Sequence, residues 1–211
     1  MHPLEDPRAW QWLAAPDPVP GLVVVNVHNG PGRGHDIYYT EALRDVSRTN
    51  LLGYVDVDYG QRSKDVVAAE VREWIDRYAI TGVMFDRVPT SESPLNLCRA
   101  YVLDARAAGA TNVAGNPGTV PDAGYLDIFD QTIVFENTWS EYRRVEFPGW
   151  LGGIAADKIW HLVYGCRPEE VALAMERAGR LGVGYAFAST GNLPNPWRGL
   201  TGRLTTETPA G

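Results

Sequence analysis

Lysine is nearly missing from this chain of 211 residues, which carries only Lys64 and Lys158 against 26 acidic side chains and a net charge of −7. The 19 basic residues are scattered. No cationic stripe can neutralise a run of phosphates, so nucleic acid is not an expected partner. Lys64 stands at the start of a helical pattern and Lys158 just ahead of an apolar run, so neither is placed to form a Schiff base with a carbonyl substrate. Cysteine is as scarce. Cys98 and Cys166 would make one disulfide at most, and Cys98 falls on the apolar side of a helical pattern, where a buried thiol is expected. The four histidines, His2, His28, His35 and His161, show neither i, i+4 spacing nor companion cysteines, so no metal and no cofactor are expected. No apolar run approaches the roughly 20 residues that cross a bilayer, so no membrane span is expected. The opening MHPLEDPRAW has neither the basic nor the apolar region of a secretory leader. As written, the chain is expected in the cytoplasm, and outside the cell if its natural start lies further upstream.

What the sequence has instead is alternation. Short runs rich in Val, Ile, Phe and Tyr recur at Leu22 to Val27, Leu51 to Val57, Gly82 to Phe85, Asn112 to Gly115, Thr132 to Phe135, Ile159 to Tyr164 and Val183 to Ala188. Between several of them lie stripes at spacings of three and four: Val67, Val71, Trp74, Ile75, Tyr78; Leu95, Cys98, Tyr101, Val102, Ala105; and Val171, Ala174, Met175, Ala178. Ser63 and Ser93-Pro94 read as helix starts, and Gly109 and Gly182 as helix stops. Strand-helix alternation means parallel βαβ units, closed as a barrel or open and doubly wound. No run is followed by G-x-G-x-x-G, and polar residues follow nearly every run instead of gathering at one switch point, which favours the barrel. The expected fold is therefore α/β, a (β/α)8 TIM-type barrel whose first strand is missing or shortened. Seven strands are legible, and only MHPLEDPR precedes the first helix at Ala9 and Trp10. One domain over residues 1–204 and a polar tail over 205–211 are expected. Exposed barrel edges are usually covered or paired, so either a homodimer or a longer natural N-terminus is expected. Gly30 to Gly34, GPGRG, lacks a Walker lysine and reads as a tight loop.

In a parallel barrel the C-terminal strand ends share one mouth. The residues ending the apolar runs are Asn26 and His28, Asp56 and Asp58, Asp86, Asn116, Glu136, Tyr164, then Ser189 and Thr190. Acids beside apolar strands are costly unless paired or shifted, which marks them as functional candidates. Asp86 follows GVMF and Glu136 follows TIVF, so both carboxyl groups leave strands directly. Opposed carboxylates suit cleavage of a glycosidic bond, one protonated to assist the leaving oxygen and the other ionised. For Asp86 the competing role is a helix cap, and for Glu136 an ion pair with Arg143 or Arg144. The segment GYVDVDYG places Asp56 and Asp58 on one side of an extended chain, with Tyr54 and Tyr59 as stacking platforms. Its plainer reading is an Asp-stabilised turn. Trp197 and Trp139 are further platform candidates.

The motifs NVHNGPG (26–32), GYVDVDYG (53–60), GVMFDRV (82–88), NPGTVPD (116–122), VFENTWSEY (134–142), HLVYG (161–165) and NLPNPW (192–197) run in order along almost the whole chain. Together they resemble the spherulation-specific family 4, or spherulin-4-like, proteins. The resemblance implies a (β/α)8 barrel and endo-acting hydrolysis of α-1,4-linked N-acetylgalactosamine or galactosamine polysaccharide. By motif, the family's catalytic acids fall on Asp86 and Glu136. Substrate contacts are expected from Asn26, His28, Tyr54, Asp56, Asp58, Tyr59, Arg87, Asn116, Tyr164 and Trp197. Two departures stand out. The family's FHP at the end of a full first strand is reduced to His2 and Pro3, and Arg87 replaces a second acid after Asp86. If Arg87 points inward, its charge lowers the Asp86 pKa and suits that residue to be the nucleophile of a retaining enzyme, with Glu136 as acid/base. The alternatives are a carbohydrate-binding barrel without activity and a barrel lyase using the same acids.

Overall fold

The structure, a computed structural model, describes residues 2–15, 21–46 and 50–198. Seven parallel strands run in chain order: β1 (Leu22–Val25), β2 (Asn50–Asp56), β3 (Gly82–Asp86), β4 (Asn112–Asn116), β5 (Gln131–Thr138), β6 (Ile159–Tyr164) and β7 (Tyr185–Ala188). Each pairs with the next. Curled in this order they make a nearly closed barrel, with the Tyr185 ring of β7 reaching Gly21 just ahead of β1. The helices are α1 (Pro7–Leu13), α2 (Ile37–Asp45), α3 (Lys64–Tyr78), α4 (Leu95–Ala107), α5 (Gly124–Ile128), α6 (Trp139–Tyr142) and α7 (Pro168–Arg180). The seven-strand count agrees with the sequence. The expected tail at 205–211 lies outside the described residues.

Local chemistry explains the element ends. The Asp6 carboxylate accepts from Ala9 N at 3.1 Å, so α1 begins at Pro7, two residues earlier than the apolar pattern places it. Asp36 does the same for α2, accepting from Tyr38 N at 2.9 Å. The sequence of that helix shows no clean stripe, because Ile37 and Tyr38 are exposed while Tyr39 and Leu43 are buried. Ser63 occupies the cap position of α3 without a side-chain hydrogen bond, and Pro94 itself, not Ser93, is the cap of α4. Gly182, with φ of 71°, follows α7 in the left-handed region that a C′ glycine supplies without strain.

Strand parity sorts the two faces. Leu22, Val24, Leu52, Tyr54, Met84, Ala114, Ile133, Trp160, Leu162 and Tyr185 form one cluster drawn from all seven strands, which is the barrel interior. The outward positions Val55, Val83, Phe85 and Val113 pack against Val67, Val71, Trp74, Tyr101 and Val102 of α3 and α4. At Gly53 and Gly115 an added Cβ would run into the rings of Trp74 and Phe129, so these positions admit the large aromatics that seal the outer layer. Lys158 Nζ donates to Leu126 O at 2.7 Å beside the start of β6, at the end of the barrel away from the acids. The GPGRG loop is pinned by Arg77, which donates to Gly32 O at 2.7 Å.

One irregularity decides the site. The β5–β6 register shifts between Ile133 and Phe135, where a bulge adds a residue to β5. Ile133 faces the interior, Val134 packs outward with Leu126 and Ile159, and Phe135 packs outward with Tyr142. Glu136 then turns inward again. In a regular strand two residues an odd number apart face opposite sides, so Ile133 and Glu136 would be on different faces. The bulge puts both inside.

Candidate active site

Asp56, Asp86 and Asn116 are lateral partners on β2, β3 and β4, so they share one level at the C-terminal rim. Asn116 is 5% exposed and its amide is the hub. Its Nδ2 donates to Asp86 Oδ1 at 2.8 Å and to Glu136 Oε2 at 2.5 Å, while its Oδ1 accepts from Gly118 N at 2.9 Å. The Gly118 bond fixes which end of the amide is oxygen, so both N–H groups must point at the acids. A 2.8 Å bond and a 2.5 Å bond from one nitrogen cap the separation of those two carboxylate oxygens at 5.3 Å.

Each acid has a second donor. The Tyr54 hydroxyl donates to Asp86 Oδ2 at 2.6 Å, and the Trp197 indole Nε1 donates to Glu136 Oε1 at 3.2 Å. Burial, then the neighbouring Asp86 charge, raises the Tyr54 pKa far above its ordinary value, so the phenol remains a donor. Burial also raises the Glu136 carboxyl, with the Asp86 charge acting in the same direction, against the lowering effect of the Asn116 and Trp197 hydrogen bonds. Glu136, whose hold on its proton is strengthened, therefore sits beside Asp86, and both acids are held by neutral donors. Glu136 bonds to Asn116 and Trp197, not to Arg143 or Arg144. Asp86 caps no helix, since α4 begins only at Leu95.

A second acidic group lies beside the first and is held differently. Arg87 Nε donates to Asp56 Oδ1 at 2.8 Å, its Nη2 pairs with Asp56 Oδ2, and its Nη1 meets Asp58 Oδ1 at 2.8 Å. Arg87 thus turns toward the β2 acids. Its guanidinium is engaged by Asp56 and Asp58 and not by Asp86, which corrects the expectation that it would serve the nucleophile candidate. Burial alone would raise the Asp56 pKa, but the Arg87 hydrogen bonds, the Asp58 N–H and the charges of Arg87 and Arg62 bring it below the usual value. The backbone here is strained: Asp58, Tyr59 and Arg87 have φ of 45°, 53° and 55°, and Tyr59 N donates to Arg87 O at 2.7 Å. Tyr59, 57% exposed, lies under the guanidinium with 5.6 Å from Cζ to the ring centre. The Asp-stabilised turn is also real, because Asp56 Oδ1 accepts from Asp58 N at 2.8 Å.

The other candidates are spread around the rim. Asn26 Oδ1 accepts from Gly30 N at 3.0 Å and so shapes the loop after β1, on which His28 is exposed. Neither bonds to the acids. Tyr164 meets Trp197 edge to face at 6.0 Å between ring centres. Ser189 is buried and folds the loop after β7, donating to Pro196 O at 2.6 Å. Trp139 opens α6 and packs on Tyr142 at 6.3 Å, away from the acid pair. Among the described residues no group of three or more His, Cys, Asp or Glu is arranged to hold a metal ion, and no helix is long and apolar enough to cross a membrane. A depression lined by Leu43, Leu51, Ile80, Gly82, Thr111 and Asn112 lies at the opposite, N-terminal ends of β2 to β4 and contains none of these acids.

Fold and site define a parallel (β/α) barrel with a hydrogen-bonded carboxylate pair at its C-terminal mouth. The model of spherulation-specific family 4 matches residues 1–208, and the chain belongs to that family. Spherulin-4 of Physarum polycephalum is 28% identical over 150 residues, covering 68% of this chain and 45% of the relative, so the chain aligns with less than half of that protein's length. The crystal structure of Aspergillus clavatus Sph3 in complex with GalNAc superposes with a TM-score of 0.76 at 22% identity, covering 93% of this chain and 88% of that one. The shared barrel fold is thereby established.

Proposed function

We propose that this protein is a glycoside hydrolase, retaining and endo-acting on an α-1,4-linked N-acetylgalactosamine or galactosamine polysaccharide. Asp86 is the nucleophile and Glu136 the acid/base. The observation that carries the reading is the single Asn116 nitrogen joining the two acids, which keeps their facing oxygens within 5.3 Å. Retaining enzymes hold their carboxyl groups about 5 to 5.5 Å apart and inverting ones roughly 6.5 to 9.5 Å, so facing oxygens drawn together on one nitrogen favour the retaining arrangement. The GalNAc held by Aspergillus clavatus Sph3, a barrel of the same fold, supports the sugar class.

In this mechanism Glu136 gives its proton to the glycosidic oxygen as an Asp86 oxygen bonds to the anomeric carbon. The new Glu136 carboxylate keeps both its donors, Asn116 and Trp197. Water then gives a proton to Glu136 and attacks the same carbon, releasing Asp86. Tyr59, Asp58 and Arg87 form the rim that a sugar ring would meet on the β2–β3 side.

The test is incubation of the protein with partially acetylated galactosamine polymers, reading soluble oligomers by mass spectrometry. Cleavage by wild type, lost in Asp86→Asn and Glu136→Gln, is expected. With Asp86→Gly, added azide should restore turnover and give a glycosyl azide of inverted configuration. Polymer retained on the protein without cleavage would replace the hydrolase reading by a carbohydrate-binding one.

A further inference from the structure

Trp197 reads in the sequence as a sugar platform, yet its one polar atom is turned toward an acid 61 residues away. The loop that carries it is folded back onto the ends of β6 and β7. Gly165 N donates to Gly191 O at 2.8 Å, Cys166 N to Ser189 O at 3.0 Å, and Gly191 N to Ser189 Oγ at 2.9 Å, while Ser189 Oγ donates to Pro196 O. No Cβ fits at Gly191, because the Pro196 carbonyl stands where it would go. The indole itself packs against Tyr164 and Phe187, with ring centres 6.0 and 6.1 Å away. We infer that Trp197 is a positioning residue: the loop after β7 delivers its indole N–H to Glu136 Oε1, so that the carboxyl group is held from both sides, by Trp197 and by Asn116, and faces Asp86.

The physical argument runs through the two charge states of Glu136. A carboxylate with one neutral N–H on each oxygen has a fixed orientation and its anion is favoured, whereas removing one donor leaves an oxygen of this half-buried group without that partner. The charged group facing Glu136 is Asp86 on β3. Asn116 on β4 and Trp197 on the loop after β7 are neutral. Trp197 therefore opposes both burial and Asp86, and keeps the acid strong enough to give up its proton. A sugar platform would need a ring face and no N–H. This role requires the N–H itself.

The catalytic consequence rests on Glu136 being the acid of the proposed hydrolase, but the contact can be tested without substrate. In 15N-tryptophan-labelled wild type, the Trp197 indole cross-peak, identified by its loss in Trp197→Phe among the seven tryptophans, should shift with pH at the midpoint of the Glu136 carboxyl. In Glu136→Gln it should stay still. An indole peak that does not titrate, or titrates unchanged in Glu136→Gln, overturns the inference. Replacement of Trp197 by 3-benzothienylalanine keeps the ring shape and removes the N–H. It should move the Glu136 midpoint upward with the other six indole peaks in place, and an unmoved midpoint overturns the inference as well. On a polymer the wild type cleaves, the same variant should lower kcat about tenfold, the worth of one hydrogen bond to a charged group, with KM unchanged and the high-pH limb displaced upward. A rise in KM alone with a fixed limb would make Trp197 a platform instead. If the titration holds while no polymer is cleaved by wild type, the hydrolase reading fails and the contact stands.

Discussion

Two pairs of acids share the rim of this barrel, and they differ in what holds them. Asp56 and Asp58 grip a guanidinium, which neutralises charge and fixes geometry. Asp86 and Glu136 are held by an amide, a phenol and an indole, which orient them without supplying a cation. A carboxylate paired with arginine has its charge compensated and its proton affinity lowered, so it serves as a structural or binding group. A carboxylate held by neutral donors keeps its charge and its protons available for chemistry. Asp56 and Asp86, laterally matched on neighbouring strands, are thus placed in different electrostatic surroundings by the groups that hold them.

The largest effect expected from breaking this contrast is on turnover. Asp86→Asn and Glu136→Gln should each lower kcat by several orders of magnitude, measured as reducing ends released from amino-sugar polymer, with circular dichroism unchanged. Asp56→Asn should act mainly on KM. If Asp56→Asn proved as damaging to kcat as Asp86→Asn, the division between the two pairs would collapse.

Stability should separate the pairs in the opposite sense. Asp56 is 6% exposed, so Asp56→Asn removes charged hydrogen bonds from a largely buried site whose partner is partly in solvent. A loss of about 2 kcal/mol is expected, lowering Tm by roughly 4 to 8 °C in a domain of this size. Glu136→Gln at pH 7 should leave Tm unchanged or raise it, because burying that carboxylate costs stability that a neutral amide avoids.

Proton linkage sharpens this further. Asp56 has a lowered folded pKa, so its stabilisation is complete above the ordinary aspartate value and is lost as pH falls through the folded one. Glu136 has a raised folded pKa, so its contribution is present below the ordinary glutamate value and is lost as pH rises through the folded one. Carboxyl 13C titrations should accordingly place Asp56 below and Glu136 above the ordinary midpoints for their residue types. The reverse order would undo the acid assignment. In activity, the high-pH limb of kcat/KM should follow Glu136 deprotonation.

The smallest effect is expected at Tyr54. Tyr54→Phe removes one 2.6 Å hydrogen bond from Asp86 and keeps the ring in the barrel interior. A decrease in kcat of about tenfold is expected, with Tm within a few degrees of wild type. A hundredfold loss would mean that the phenol does more than orient Asp86.

Much of this was legible before the chain was folded. Seven apolar runs bounded by turn residues announced seven strands, and the polar residues closing those runs put Asp86, Asn116 and Asp56 at strand ends. Helices α3 and α4 were visible because each buries a full stripe, and α7 because Val171, Ala174, Met175 and Ala178 keep the spacing although only the two alanines are fully buried, whereas in α2 the exposed Ile37 and Tyr38 blur the pattern of the buried Tyr39 and Leu43.

What only the tertiary structure decided is who meets whom. No periodicity along β5 reveals a bulge, because a bulge is a mismatch between two strands, and that one extra residue is what turns Glu136 toward the interior. Nor does adjacency in sequence tell where a long side chain goes. Arg87 follows Asp86 directly, yet its left-handed backbone sends the guanidinium to Asp56 and Asp58, 31 and 29 positions away. The Asn116 bridge and the Trp197 contact span 20 and 61 residues. Such bonds depend on register, loop path and closure of the barrel together. The chain's own pattern determined a parallel barrel with acids at its rim, and the closure of that barrel decided which acids face each other and which face a cation.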